Sequence, residues 1–198
     1  FYNNYEFIIK NANTDGKKSK NFKDDENFYL SGLLQFNSSM PMKKENTNYD
    51  NVLKPKLSIK LAPNHTKNYE DDEVVININN IFSLDRISKN DTVEGGVSLA
   101  YGFDYLFLNK GSEKEILSFK AANNLRLSEN EDLTNSYQIG EKTSNFFTES
   151  IYTPNDFLSI KYSNALRNNF SEISRESFQT DFNFMNLKSS FEYLNENN

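Results

Sequence analysis

Few residues of this 198-residue chain have the types and spacing that chemistry at a site requires. The sequence contains one histidine and no cysteine, which excludes a multi-histidine metal centre, a thiolate metal site and a cysteine nucleophile. The histidine, His65, stands between Asn64 and Thr66 without the spacing of a nucleophile or a general base. We therefore interpret His65 as a loop residue.

Two acidic patterns resemble cation sites. The segment Asn11-x-Asn13-x-Asp15-Gly16 imitates the opening of a calcium loop, but Phe22 occupies the position of the bidentate glutamate, so the segment is interpreted as a polar turn. The run Glu70-Asp71-Asp72-Glu73 is interpreted as a solvated loop. Gly95-Gly96 lacks the spacing and the following helix of a phosphate-binding loop. We expect no cofactor, no metal and no enzymatic activity.

The remaining candidates are basic residues that share the polar positions of alternating segments. In Val97–Phe107, the odd positions are apolar or aromatic and the even positions are mostly small or polar, which is the period of a β-strand. Clear runs of the same kind occupy residues 53–61, 117–127, 158–166, 178–184 and 187–193, and weaker ones residues 2–12, 29–40 and 145–152. The basic residues on their polar sides are Lys54, Lys56, Lys60, Lys120, Arg126, Lys161 and Lys188.

These segments amount to about nine strands, most of about ten residues or more, whereas strands of globular proteins average about five or six. A tilted strand of about 9–11 residues crosses a bilayer. The long polar segments Asn13–Asn27, Ala62–Thr92, Ser128–Thr143 and Asn168–Ile173 alternate with short connections, as the loops and turns of outer-membrane barrels do. The short connections are predicted at Pro41–Asn51, Asn109–Lys114, Thr153–Asp156 and around Met185–Asn186. The sequence thus predicts an all-β, antiparallel up-and-down sheet that is part of a large transmembrane barrel.

Composition agrees with this prediction. Phe and Tyr reach 14% of the chain while the mean hydropathy is −0.74, which is typical of strands with one wet face. No run approaches the roughly 18 apolar residues of a membrane-spanning helix. The net charge of −6 disfavours a nucleic-acid partner.

A barrel would place the two sets of side chains on opposite faces. The apolar set should contact lipid: Leu57, Ile59, Leu61, Leu99, Tyr101, Phe103, Tyr105, Phe107, Phe119 and Phe182. The basic set should line the lumen, where it pairs with acids such as Asp104 and Asp181 or, alternatively, attracts anionic head groups. Charge at Leu99 should then block assembly, whereas charge at Ser98 should be tolerated.

One block of the sequence is distinctive. Asn80-Ile81-Phe82-Ser83-Leu84-Asp85-Arg86 continues through Asp91 to Glu94-Gly95-Gly96 and then enters the alternating strand that reaches Tyr101-Gly102. This block resembles the barrel domain of the LptD family, the outer-membrane proteins that assemble lipopolysaccharide. Leu53–Ile59 and Leu187–Tyr193 resemble further strands of that barrel.

The resemblance implies non-enzymatic lipopolysaccharide transport in the cell outer membrane. It also implies a plug lipoprotein of the LptE kind as a partner, and a periplasmic Lpt bridge that is joined through an N-terminal jelly-roll domain. We expect residues 1–198 to be one partial barrel domain, with the jelly-roll and further strands outside it, and an odd strand count agrees with an incomplete barrel. The apolar anchors and the charges of Phe82, Asp85, Arg86, Asp91, Glu94, Gly95 and Gly96 predict a packed loop with internal ion pairs that folds over or into the barrel.

Two alternatives stay open at this point. Another outer-membrane barrel, such as a porin or an adhesin, would share the alternation but not the block Asn80–Gly96. A soluble β-sandwich that binds its ligand through exposed tyrosines would have shorter strands packed in two layers.

Overall fold

The computed structural model describes residues 1–15 and 26–197, and its regular elements are ten β-strands and the short 3₁₀ helix Ser136–Gln138. Within these residues, no helix has the length and apolar composition to cross a membrane. The strands are β1 (Tyr2–Asp15), β2 (Glu26–Ser39), β3 (Met42–Glu45), β4 (Tyr49–Ala62), β5 (Gly96–Asn109), β6 (Glu115–Arg126), β7 (Phe146–Asn155), β8 (Leu158–Leu166), β9 (Ile173–Phe184) and β10 (Leu187–Glu196).

All ten strands belong to one antiparallel sheet with the spatial order β1-β2-β4-β5-β6-β7-β8-β9-β10. Neighbours in the sheet are therefore neighbours in the chain, except that β3 pairs with β4 beside the end of β2. The sheet is open, since β1 and β10 each pair on one side only within the described residues. The prediction of an up-and-down sheet of long antiparallel strands is confirmed.

The region of Pro41–Asn51 differs from its prediction as a short connection. It contains β3 and the first residues of β4. β3 pairs with residues 50–53 of β4, and β2 pairs with residues 56–61 of the same strand. The break between β2 and β3 falls at Pro41, which cannot donate a ladder hydrogen bond. Just before it, the Met40 N–H donates to the Pro55 carbonyl at 3.1 Å.

Register aligns the alternating side chains into two continuous faces. Leu57 lies opposite Tyr101 and Ile59 opposite Leu99 on the apolar face, while Lys60 lies opposite Ser98 on the polar face. Large apolar side chains remain exposed on the apolar face, among them Leu34, Leu61, Tyr101, Phe182 and Phe191.

Long and short connections alternate along the sheet, as predicted. One end carries short turns at residues 46–48, 110–114, 156–157 and 185–186, and the other carries the connections 63–95, 127–145 and 167–172. Part of the calcium-like segment and the position of Phe22 fall in residues 16–25, which lie outside the described residues.

The longest connection, residues 63–95, crosses the polar face, and we call it the strap. The core of the molecule lies between the strap and the sheet. We call the sheet beneath the strap the wall. Four strap residues pack on four wall residues: Val74, Ile76, Ile78 and Ile81 on Ala100, Ala122, Phe147 and Ala165. A second, smaller cluster joins the strap to the β6–β7 loop through Ile87, Leu133 and Ile139.

Small side chains on the wall make room for the strap. Ala100, Ala122 and Ala165 belong to the polar face of β5, β6 and β8, where their short side chains leave space for the isoleucines above. Phe147 is an exception to the alternation, because it projects from β7 onto this face and lies opposite both Ala122 and Ala165. The polar face therefore carries one apolar patch, and the strap covers it.

Candidate functional site: a charge clamp under the strap

Within the distinctive block, Arg86 and Glu94 form an arginine–carboxylate pair with two hydrogen bonds. Arg86 Nε donates to Glu94 Oε2 at 2.7 Å and Arg86 Nη2 donates to Glu94 Oε1 at 2.5 Å. Both residues are buried, with 2% and 3% of their surface exposed. Two parallel, charge-assisted hydrogen bonds of this kind fix orientation as well as adding energy.

Two wall strands supply further cations to the same carboxylate. Arg126 Nη1, at the end of β6, donates to Glu94 Oε1 at 2.7 Å, and Lys60 Nζ, near the end of β4, lies 3.4 Å from Glu94 Oε2. We call Lys60, Arg86, Glu94 and Arg126 the charge clamp. Because Arg86 belongs to the strap and the other two cations to the wall, Glu94 holds these separate parts of the chain together.

The electrostatics of the clamp depend on Glu94. Burial alone would raise the pKa of the Glu94 carboxyl, but Arg86, Lys60 and Arg126 together hold that pKa well below its usual range. The carboxylate is therefore ionised, and it is surrounded by more positive than negative charge. Removal of a partner from such a buried cluster leaves an uncompensated charge, which is strongly destabilising.

Arg86 also contacts the wall through neutral groups. Its Nη2 donates to Asn124 Oδ1 at 3.0 Å and lies 3.3 Å from Ser98 Oγ, while Nη1 donates to the Ile81 carbonyl at 3.1 Å. Asn124 and Ser98 belong to β6 and β5, so one guanidinium reaches two adjacent strands. The arginine thereby seats the strap at one position on the sheet.

The two glycines of the block are explained by close approach rather than by ligand binding. The Gly95 N–H donates to Thr66 Oγ1 at 2.7 Å, and a Cβ at Gly95 would lie 2.7 Å from the same oxygen and 2.9 Å from the Pro63 carbonyl oxygen. Gly96 has a φ of 87°, a conformation that side chains disfavour. Its own Cβ would lie 2.9 Å from Arg126 Nη2.

Lys10 of β1 binds the strap through an ion pair and a hydrogen bond. Lys10 Nζ donates to Asp85 Oδ2 at 2.5 Å and also to the Lys89 carbonyl. The Lys10 side chain is only 10% exposed, so this pair is partly shielded from water. The strap consequently reaches from β1 to the apolar patch that includes Ala165 of β8.

Asp91, the remaining acidic residue of the block, is bound by other residues of the strap. Lys67 Nζ donates to Asp91 Oδ2 at 2.8 Å, and the Tyr69 hydroxyl donates to Asp91 Oδ1. Burial raises the pKa of Asp91, but the bonds from Lys67 and Tyr69 outweigh it and leave the pKa lowered. Burial and the neighbouring Asp91 raise the pKa of the Tyr69 hydroxyl above its usual range.

Phe82 contributes its ring and its carbonyl group. Lys56 Nζ lies 4.6 Å from the centre of the ring, and Gln35 Nε2 donates to the Phe82 carbonyl at 2.7 Å. All seven residues named in the block thus lie in or at the end of one packed loop: Phe82, Asp85, Arg86, Asp91, Glu94, Gly95 and Gly96.

The basic residues of the polar face are distributed among several acids. Lys56 Nζ lies 3.1 Å from Asp104, while Lys120 and Lys161 share Glu149 at 2.8 Å and 3.1 Å. Lys54 lies directly opposite Asp104 in the register, and Lys188 is exposed on β10. Asp181 differs from its expected role, since its described hydrogen bonds come from Gln179 and Ser190 and not from a lysine.

Sequence reasoning missed three features of this site. It did not predict that Glu149 joins two of the lysines, nor that His65 Nε2 accepts from the Gly32 N–H of β2 at 3.3 Å. It also read the strap as a polar loop, although Val74, Ile76 and Ile78 alternate with Val75 and Asn77. Apolar residues at every second position could have indicated an extended segment that packs one side on the sheet.

Comparison with known proteins identifies the chain. The model of a family described as LptD, LPS transport system D, matches residues 7–198, which include most of β1, all of β2–β10 and the whole strap. The chain belongs to the LptD family. No curated protein matches it.

Membership of the LptD family confirms the main predictions. The chain takes part in lipopolysaccharide transport, with lipopolysaccharide as the transported substrate and Lpt proteins as partners. It is an outer-membrane protein, and the sheet is part of an outer-membrane barrel. Proteins of the LptD family are lipid-transport components. The charge clamp lies within the region that the family model matches.

Proposed function

We propose that residues 1–198 form one part of the wall of an LptD barrel, with the strap held inside the lumen as a fixed brace. In this proposal the apolar face contacts lipid and the polar face lines the lumen, as in other outer-membrane barrels. An N-terminal jelly-roll domain and further strands would complete the protein. Lipopolysaccharide would pass without chemical change, so the chain would perform no enzymatic step.

The charge clamp is the observation that supports this proposal most directly. Glu94 binds Arg86 of the strap, Lys60 of β4 and Arg126 of β6, and Lys10 of β1 binds Asp85. A loop that moved during each transport cycle would have to expose these charges or re-pair them, which is costly in a buried setting. A brace uses the same contacts permanently.

The basic residues of the polar face fit a structural role better than an anion-binding one. Lys56, Lys120 and Lys161 already have carboxylate partners at 2.8–3.1 Å. A phosphate that approached them would have to compete with Asp104 and Glu149. We therefore infer that these residues neutralise Asp104 and Glu149 in the lumen and that head groups bind elsewhere along the transport route.

Partners follow from the same picture. A plug lipoprotein of the LptE kind would contact the side of the strap that faces away from the wall, where Asp71, Glu73, Val75 and Asn79 are exposed. The periplasmic Lpt bridge would reach the barrel through the jelly-roll domain. With a net charge of −6, the chain has no general attraction for nucleic acid.

A cross-link across the strap tests whether the brace is fixed. Cysteines replace Lys10 and Asp85 in the complete protein, and a short bismaleimide joins them, because a lysine-length gap is too wide for a disulfide. Lipopolysaccharide that newly reaches the cell surface is measured before and after linking. We expect equal transport in both states.

The matched control joins the short-turn end instead. Lys114 and Asp156 form an exposed ion pair between two turns, away from the strap, and receive the same cysteines and linker. Loss of transport after linking at residues 10 and 85, with normal transport after linking at residues 114 and 156, would show that the strap moves and would overturn the brace.

A further inference from the structure

The strap contains a strand-like segment whose backbone is only partly paired. Burial alternates along it, with Val74, Ile76 and Ile78 buried, Val75 exposed and Asn77 half-buried. The segment has neither turn nor helix at residues 73–77. Such alternation is typical of an extended chain that lays one row of side chains on a surface.

The residues just before this segment form hydrogen bonds with the β6–β7 loop. The Tyr69 N–H donates to the Asp132 carbonyl at 2.7 Å, the Asn135 N–H donates to the Glu70 carbonyl at 3.2 Å, and Thr134 Oγ1 donates to the Asp72 carbonyl at 2.5 Å. Residues 69–72 are therefore paired with residues 132–135 of the β6–β7 loop. Beyond Asp72, no further backbone hydrogen bond joins these two segments within the described residues.

Over residues 74–76 the N–H groups lack partners in the part of the chain that the structure describes, whereas the Asn77 N–H donates to Asn80 Oδ1 at 2.8 Å. Those of Val74, Val75 and Ile76 donate to no described residue, and the Val75 carbonyl accepts only from Asn80 Nδ2, at 2.8 Å. Val75 is 49% exposed, so its N–H is open to a partner, whereas Ile76 has no exposed surface and its N–H is not. Backbone N–H groups of ordered segments are nearly always hydrogen-bonded, so an additional partner is expected along the edge of Val75.

Space for that partner is present beside the segment. One cavity of about 490 Å³ is lined by residues 70–75 together with Arg167, Ser174 and Arg175. A smaller one of about 160 Å³ is lined by residues 76–79 together with Lys161, Ser163 and again Arg175. The two cavities share Arg175 and lie end to end along the segment, and we call them the trough. Its opposite side is formed by polar side chains of β8 and β9.

We propose that residues 73–76 are a strand-addition site for an extended peptide segment of a polypeptide bound inside the barrel. An added strand would pair with the free backbone groups, which is the usual basis of such recognition. The exposed row contains Asp71 and Glu73, which form no ion pair with described residues, so the partner strand should carry basic side chains at that end. The inference rests on the proposed function, since it requires a polypeptide in the lumen.

Hydrogen exchange tests the inference on the complete barrel protein, purified with and without its plug lipoprotein. Strand addition on one edge protects alternate amides. We expect exchange to slow by at least about tenfold at Val75, the exposed residue of the segment, and not at Val74 or Ile76. Equal slowing at all three would indicate simple occlusion, and unchanged exchange would indicate that no strand is added, so either result overturns the inference.

Charge reversal gives a second measurement. Asp71→Lys combined with Glu73→Lys should reduce the recovery of the plug with the barrel at least about threefold, because these acids face the basic end of the added strand. Glu129→Lys combined with Glu131→Lys, at exposed positions on the same end of the sheet but outside the trough, is the matched control. Equal recovery from both variants would contradict the inference.

The two proposals fail in different ways. If no plug is recovered with the unaltered barrel, the proposed partner of the barrel is wrong. If the plug is recovered but leaves the exchange of residues 74–76 unchanged, only the strand-addition site is wrong. Protection that appears on addition of lipopolysaccharide without the plug would assign the trough to a saccharide chain and would also overturn the inference.

Discussion

Strands β4–β6 and strands β9–β10 have the same alternating pattern but opposite surroundings on their polar faces. Ser58, Ser98 and Asn124 of the first group are almost fully buried, whereas Lys188 and Ser190 of β10 are exposed. The apolar face differs much less, since Tyr101 and Phe182 are both exposed there. The strap makes this difference, because it covers the first group of strands and not β10.

The comparison shows that a polar position in a barrel strand can be solvated or buried with no change in the strand itself. Beneath the strap, polar side chains must find partners within the protein, and they do so in the charge clamp. On β9 and β10, water can satisfy them. Substitutions of the same type should therefore have very different effects in the two regions.

The largest contrast is expected when a carboxylate is neutralised. Glu94→Gln leaves Lys60, Arg86 and Arg126 buried without their shared counter-charge, which should lower the free energy of unfolding by about 3–5 kcal/mol. Asp181→Asn, on the polar face of β9, should cause no measurable change, because Asp181 has no cation partner among the described residues and water can solvate the amide. Denaturant unfolding of the complete barrel in detergent measures both, and similar losses would remove the distinction between the regions.

A matched pair of serines gives the next contrast. Ser98 Oγ lies 3.3 Å from Arg86 Nη2, so Ser98→Lys buries a second cation beside this guanidinium and should destabilise the barrel by about 2–4 kcal/mol. Ser190→Lys lies beside Asp181 in solvent and should be tolerated. The expectation from sequence that charge at Ser98 is harmless thus changes, because the strap buries this position. The fraction of folded barrel, from its mobility in unheated gels, provides the measurement. Normal folding with Lys at position 98 would argue that the strap is not seated as described.

A smaller contrast exists between neighbours within the strap. Ile76→Ala removes fully buried methyl groups over Ala100 and Phe147 and should lower the free energy of unfolding by about 2 kcal/mol. Val75→Ala, one residue away on the exposed side, should change it by less than about 0.5 kcal/mol. Limited trypsin cleavage after Lys67 or Lys89 should rise only for the first variant. Equal cleavage of both variants would place the apolar side of the strap elsewhere.

The smallest effect is expected from pH. Because the pKa of Glu94 is lower in the folded protein than in the unfolded chain, its contribution to stability is complete above the usual carboxyl pKa and is lost only as pH falls through the lowered value. Resistance of the strap to a protease active over this range should therefore be the same at pH 7 and pH 5.5. A loss of resistance between these two values would show that another group controls the strap.

Much of this architecture could be predicted from local pattern alone. Period-two alternation determines which side chains share a face, and the lengths of the runs and of the connections between them led to long antiparallel neighbours with alternating loops and turns. The block Asn80–Gly96 was sufficient to indicate the LptD family, and Arg86 and Glu94 are only eight residues apart in it. These features depend on the order of residues over short distances.

Other features depended on the path of the strap. Glu94 meets Arg126 across 32 residues and Lys60 across 34, and Lys10 meets Asp85 across 75. Nothing in the alternation of β4, β5 or β6 distinguishes a polar residue that water will solvate from one that the strap will bury. Tertiary structure decided this, because the burial of a side chain depends on which distant segment packs over it, and the strap covers some strands of a uniform wall and leaves others open.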